Sequence, residues 1–237
     1  MHFLTAIPVY NEQDHIEPIL REVLKFAGDV LVVDDGSTDA TADRLAKFPN
    51  IQVIRHPKNR GYGAGLQSAF ARTIEQNYDG LVTLDCDGQH EPCRIPQVAE
   101  PLASYDIVSG SRYLKVFDPT QAPPEVRRKI NVEVTRWLNR NLGLNLTDGF
   151  CGFKAYRTSA LKMLQITEDG YAMPIQLWVQ AVAKELSILE VPVPLIYLDE
   201  NRAFGGALDD ASYRLNHYRA VFEKALQDNK FPVEGRG

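Results

Sequence analysis

The sequence predicts an α/β fold, with a mostly parallel central sheet flanked by helices. Two observations carry this. Over the first 110 residues, short apolar runs of strand length alternate with segments of helical periodicity, the pattern of β-α-β units. Polar clusters follow immediately after Val9, Val33 and Leu84, at the carboxyl ends of the expected strands, where such sheets bind ligands.

The elements follow in order. Phe3 to Val9 reads as a strand, and Ile16, Ile19, Leu20, Val23 and Leu24 recur at helical spacing. Val30 to Val33 is a buried strand that runs into the turn Asp34-Asp35-Gly36-Ser37-Thr38-Asp39, where Ser37, Thr38 or Asp39 is a candidate helix N-cap. Ile51 to Ile54 is a third strand. A helix to about Gln76 follows the glycines Gly61, Gly63 and Gly65, and Gly80 to Leu84 is a fourth strand. A helix near Ile95 to Leu102 and a strand from Asp106 to Ser109 come next. The second half is less regular: a basic helix from Glu125 to Leu142, a turn region from Asn145 to Gly152, two further helices, a strand near Ile188 to Val191 and an amphipathic final helix. In that helix Leu215, Tyr218, Phe222, Ala225 and Leu226 share a face.

The chain has 237 residues, 44% hydrophobic and 24% charged, enough to bury a substantial core. A net charge of −5 argues against general nucleic-acid binding, yet seven basic residues face three acidic ones between Arg112 and Arg140. A basic island on an acidic protein suggests a local anionic partner. Three cysteines fit neither a disulfide framework nor a zinc spacing and point to a reducing, cytoplasmic compartment. No run has the length of a signal peptide or a membrane span.

The chemistry concentrates in Asp85-Cys86-Asp87-Gly88-Gln89. Two carboxylates one residue apart can approach one cation, and Mg²⁺ or Mn²⁺ takes oxygen ligands together with substrate phosphates. Gln89 offers a neutral third oxygen. Asp35, at a buried strand end, can accept from a nucleobase or a ribose. In Pro8-Val9-Tyr10-Asn11-Glu12, Tyr10 offers a flat face and Glu12 its acceptors. The glycine-rich stretch Asn59 to Gly65 lacks the Lys-Ser/Thr ending of a P-loop, and close packing of helix on sheet suits it better.

Together these elements resemble the family-2 glycosyltransferases of GT-A fold, in their dolichyl-phosphate or polyprenyl-phosphate mannosyltransferase-like branch. Gly110-Ser111-Arg112-Tyr113 and Thr147-Asp148 through Gly152-Phe153-Lys154 add to the match, which runs from about Ala6 to Gly205. The resemblance implies that Pro8, Tyr10 and Glu12 line a nucleoside site and that Asp35 meets base or ribose. It implies that Asp85, Asp87 and Gln89 bind the metal and diphosphate, and that Arg112 meets the acceptor phosphate or the diphosphate. Arg202 would close over the donor phosphates. The implied reaction inverts the anomeric carbon in a single displacement, from GDP-mannose or a UDP-hexose to a polyprenyl phosphate at a membrane surface.

A phosphate acceptor is already anionic and needs cations rather than a base, and Arg112, Arg127 and Arg128 can supply them. A soluble hydroxyl acceptor would need a base, for which Asp148 is the candidate. Two departures stand out. Gln176 occupies a position where the family has glutamate, and Gly206-Ala207-Leu208 replaces its Ser-Lys. They leave open a non-catalytic nucleotide-sugar-binding module. The expected organisation is one domain over 1–228, with a nucleotide-sugar half (1–110), an acceptor half (111–208), a final helix (209–228) that packs on the domain or rests on a membrane, and a flexible tail (229–237).

Overall fold

The computed structural model describes residues 1–121, 123–196 and 206–231. Arg202 and the rest of Asp199 to Gly205 lie outside the described residues. A seven-stranded sheet forms the centre: β1 (Phe3–Val9), β2 (Asp29–Asp34), β3 (Gln52–Arg55), β4 (Gly80–Thr83), β5 (Ile107–Ser111), β6 (Lys154–Arg157) and β7 (Ile188–Pro192), in the order β3-β2-β1-β4-β6-β5-β7. All pairings are parallel except those of β6, which is antiparallel to both neighbours. The largely parallel sheet is therefore present, but β6 is an element the sequence analysis did not anticipate.

Strand alternation divides the core into two layers. Leu4, Ala6, Leu31 and Val33 face one side, under α3 (Tyr62–Glu75), α5 (Glu125–Leu142), α7 (Met173–Ala183) and α8 (Ala211–Asp228). Ile7, Val9, Val30 and Val32 face the other, under α1 (Ile16–Val23), α2 (Thr41–Leu45) and α4 (Ile95–Ala99). In α1 the buried Ile16, Leu20 and Val23 lie at helical spacing, as expected. The basic helix α5 has the predicted bounds and ends at Gly143 in the left-handed region, φ 67°. α6 (Thr158–Met163) follows β6 directly.

The structure decides between alternatives at two places. Ser37 and Thr38 do not cap α2. The Ser37 hydroxyl accepts from Asn11 N (2.9 Å), and Thr38 N donates to the Asn11 side chain (2.8 Å), so both lace the loop after β2 to the loop after β1. Asp39 satisfies the start of α2, accepting from Thr41 N at 2.9 Å. The final helix packs on the domain: Tyr218, Phe222, Ala225 and Leu226 are buried against the layer that holds α5 and α7. Among the described residues no helix is long and apolar enough to cross a membrane.

Candidate active site

The loops after β1, β2 and β4 meet beyond the carboxyl ends of their strands. They enclose, with α5, α7 and α8, a cavity of about 400 Å³. Pro8, Tyr10, Glu12, Asp35, Asp85, Asp87, Gln89, Arg112 and Arg127 all line it, so one cavity gathers most of the sequence-derived candidates. Among the described candidates, Asp148 and Arg128 do not line it. Arg128 is exposed, because adjacent helical residues diverge by about 100°. The α5 residues that reach the cavity are Arg127, Ile130 and Asn131, at i, i+3 and i+4.

Asp85 is positioned by three neighbours. Its Oδ1 accepts from the Tyr62 hydroxyl (3.1 Å), and its backbone N–H donates to His90 Nδ1 (3.1 Å). The latter bond places the imidazole proton on Nε2, which lies 3.8 Å from Cys151 Sγ. The third neighbour is Gly152: a Cβ there would sit 2.3 Å from Asp85 Oδ2. Gly152→Ala is therefore expected to turn the Asp85 carboxylate away from its seat. Calorimetry should find weaker Mn²⁺-dependent binding of a nucleoside diphosphate, with the circular dichroism spectrum unchanged. Asp87 is half-buried, and its Oδ1 accepts from Gln89 N at 3.0 Å, so Gln89 steadies the second carboxylate with its backbone.

Asp35 is 4% exposed and already engaged. Its oxygens accept from His56 Nδ1 (2.5 Å), Arg60 N (3.0 Å) and Gly61 N (2.7 Å). It thus anchors the glycine-rich stretch and lines the cavity wall, which reduces its capacity to meet a base or ribose directly. The glycines serve close approach: a Cβ on Gly61 or Gly63 would lie 2.4 or 2.2 Å from backbone oxygens of residues 168–169, and one on Gly65 would lie 3.2 Å from Pro8 Cβ.

Arg112, also in the lining, makes a bidentate pair with Asp148, Nε to Oδ2 at 2.6 Å and Nη2 to Oδ1 at 2.9 Å. Asp148 is fully buried and also accepts from Asn131 Nδ2 (2.8 Å) and Phe150 N (3.2 Å). Burial opposes its charge, but Arg112 and Asn131 outweigh it and hold the carboxyl well below the usual carboxylate range. The same pairing, against burial, keeps Arg112 firmly ionised. Asp148 does not line the cavity, whereas the Arg112 it pairs with does.

The surrounding loop is tightly held. Glu190 accepts from Thr147 N (2.8 Å) and Asp148 N (3.0 Å), Trp178 Nε1 donates to Gly149 O (2.9 Å), and Lys154 Nζ donates to Cys151 O. Gln176 lies away from the cavity. Its side-chain oxygen accepts from Thr167 N and Glu168 N, both at 2.9 Å, while its amide donates to the Thr167 hydroxyl. The glutamine thus organises the loop against which Gly61 and Gly63 pack.

Sequence reasoning missed several lining residues: Tyr62, Asn131, Tyr171, Arg214 and Tyr218. Tyr62 and Tyr171 stack at 5.7 Å with 12° between their planes. Arg214 stood in a helix judged by its apolar face, yet it is 4% exposed and turned into the cavity, one of its nitrogens donating to Leu208 O at 2.6 Å.

An open sheet with an acidic pair at a strand end and arginines across one cavity defines an α/β transferase of activated sugars. The chain belongs to glycosyl transferase family 2, whose family model matches residues 5–164, and it is a glycosyltransferase. It is 33% identical over 223 residues to an undecaprenyl-phosphate mannosyltransferase of Micrococcus luteus, covering 89% of this chain and 91% of that one. It is 31% identical over 202 residues to a polyprenol monophosphomannose synthase of Mycolicibacterium smegmatis, covering 80% and 76%. Among solved structures, glucosyl-3-phosphoglycerate synthase from Mycobacterium tuberculosis, in complex with Mn²⁺, UDP and phosphoglyceric acid, superposes with a TM-score of 0.73. That match has 20% identity and covers all of this chain and 81% of that one, a likeness of fold that places the chain among GT-A proteins.

Proposed function

We propose that this chain transfers a hexose, mannose or glucose, from GDP-mannose or a UDP-hexose to a polyprenyl-phosphate-type acceptor, with inversion and with Mg²⁺ or Mn²⁺. The observation that carries the reading is the lining of the cavity: the carboxylates of Asp85 and Asp87 and the guanidinium groups of Arg112, Arg127 and Arg214 border one space. The names of the Micrococcus and Mycolicibacterium relatives support a polyprenyl-phosphate acceptor.

The carboxylate pair of Asp85 and Asp87 suits a hard divalent ion. Among the described residues no group of three His, Cys, Asp or Glu side chains is arranged to hold a metal alone. A pair of carboxylates, with the remaining oxygens from a ligand's phosphates, is the usual arrangement for Mg²⁺. Such an ion neutralises a departing diphosphate. Binding of Mn²⁺ in the glucosyl-3-phosphoglycerate synthase complex supports this choice. Tyr10, Pro8 and Glu12 form the adjoining wall for the nucleoside.

Nε and Nη2 of Arg112 are taken by Asp148, which leaves Nη1 for an anionic acceptor. Arg127 and Arg214 add two cations, and Arg214 compensates for the lysine absent after Gly205. A phosphate oxygen held there is already a nucleophile, so its attack needs no proton acceptor. The soluble-hydroxyl alternative loses its base, because Asp148 is committed to Arg112. The non-catalytic alternative loses its motive in Gln176, which organises a loop away from the cavity.

Incubation with labelled GDP-mannose or UDP-glucose, Mn²⁺ and a short-chain polyprenyl phosphate is expected to yield a lipid-linked sugar. Arg214→Met should raise the acceptor KM about tenfold or more while leaving the donor KM unchanged. Donor hydrolysis without transfer to any phosphate acceptor would reject the reading.

A further inference from the structure

The cavity has a rim unlike the rest of the surface. Tyr113, Pro123 and Arg127 line the cavity, and the stretches that carry them, 113–117 and 123–129, are exposed over most of their length. Between them Leu114, Val116, Phe117 and Val126 are 45%, 73%, 37% and 52% exposed. Lys115, Arg128 and Lys129 are exposed among them. The Phe117 ring is flanked by cations, Arg94 at 4.7 Å and Lys115 at 5.1 Å from its centroid. The nearby carboxylates are locally engaged: Asp118 accepts from Thr120, and Glu125 pairs with Lys129 at 2.7 Å.

This mixture selects one occupant. Protein–protein interfaces deplete lysine from their centres, whereas apolar side chains interleaved with lysine and arginine suit the headgroup boundary of an anionic bilayer. The rim is also continuous with the cavity through Tyr113, Pro123 and Arg127. Arg127 faces inward and Arg128, the next residue, faces out. One helical turn therefore offers a cation to a ligand inside and another to phosphates outside.

We propose that this rim, with Val116 at its tip and Lys115, Arg128 and Lys129 around it, docks the enzyme on an anionic lipid bilayer. The inference rests on the lipid-acceptor reading, because a prenyl chain leaving a phosphate at Arg127 passes over this rim into the bilayer. It moves membrane contact away from the final helix, whose apolar face is spent on the core.

Vesicle co-sedimentation tests the docking. The wild-type chain is expected to bind vesicles of phosphatidylcholine with phosphatidylglycerol and to bind pure phosphatidylcholine weakly. Val116→Asp, and separately Arg128→Glu with Lys129→Glu, should each lower the partition coefficient about tenfold or more. Tyr213→Ser, on the exposed side of the final helix, should leave it unchanged. Val116→Asp should keep its activity on a water-soluble short-chain acceptor and lose it on long-chain acceptor in vesicles. No wild-type binding, loss of binding with Tyr213→Ser alone, or a wild-type dimer abolished by Val116→Asp would each overturn the docking surface. Absence of transfer to the short-chain acceptor by the wild-type chain would instead overturn the lipid-acceptor reading.

Discussion

Asp87→Ala is expected to lower sugar transfer by about a thousandfold or more, the counterpart of losing several kcal/mol of charge stabilisation at a departing diphosphate. The fold should persist. Asp87 is half-buried, and its protein-side hydrogen bond from Gln89 N closes a local turn two residues long. The loss should be selective in a second respect. Binding of a nucleoside diphosphate should become insensitive to Mn²⁺ in the variant, while a nucleoside lacking phosphates binds both proteins alike through the wall of Pro8, Tyr10 and Glu12. Asp87→Asn is a milder test, since it keeps an oxygen ligand and removes a charge. Titration of each variant with UDP and GDP, with and without Mn²⁺, separates the metal role from a purely structural one.

The second large effect concerns Arg112 and Asp148. Removing one partner of a buried, bidentate pair leaves an uncompensated charge and costs about 3–5 kcal/mol, on the order of 10 °C in Tm for a domain of this length. Asp148→Asn is expected to show that loss of stability together with a raised acceptor KM. Arg112→Lys should do the same, because an ammonium cannot span both carboxylate oxygens. The pH profile distinguishes this role from general-base catalysis. The native pKa of Asp148 is depressed, so its contribution to stability is complete above the unfolded value of about 3.9. It disappears only as the pH falls through the native value, well below the usual carboxylate range. Asp148 therefore contributes no ionisation between about pH 5 and 8. An acid limb in that window that vanished in Asp148→Asn, with stability unchanged, would make Asp148 a base after all.

The parallel half of the fold was legible because its signals are local. β1 has the predicted bounds, and β2, β3 and β4 lie within a residue of theirs, since each is an apolar run stopped by a polar turn. One of the same turns carries the acidic pair Asp85 and Asp87, so that part of the cavity lining could be read from adjacent residues. β6 could not. It is four residues long, begins with a lysine that is 2% exposed, and is a strand only because β4 and β5 flank it. Lys154 tolerates burial because Cys151 O, three residues away, accepts from it and the Trp178 ring lies 5.4 Å away, the latter a partner contributed by folding.

Long-range pairing also explains the other revisions. Nothing local tells that Asp35 is spent on His56, Arg60 and Gly61, or that Asp148 belongs to Arg112. Arg127 and Arg128 look equivalent in sequence and diverge only once α5 is docked. Arg214 was masked by the apolar periodicity of its helix, which correctly identified the packed face and obscured a charged residue that lines the cavity. The hydroxyl of Tyr62 had one available signal: a tyrosine between glycines at the start of a helix, aimed at the next strand end.

Crystals grown with Mn²⁺ and a nucleoside diphosphate, measured at the manganese absorption edge, test the central claim most directly. The account predicts one strong anomalous peak coordinated by carboxylate oxygen from the Asp85–Asp87 pair and by oxygens of both phosphates. A well-ordered diphosphate in this cavity with manganese bound elsewhere, or with both carboxylates turned from it, would contradict the account.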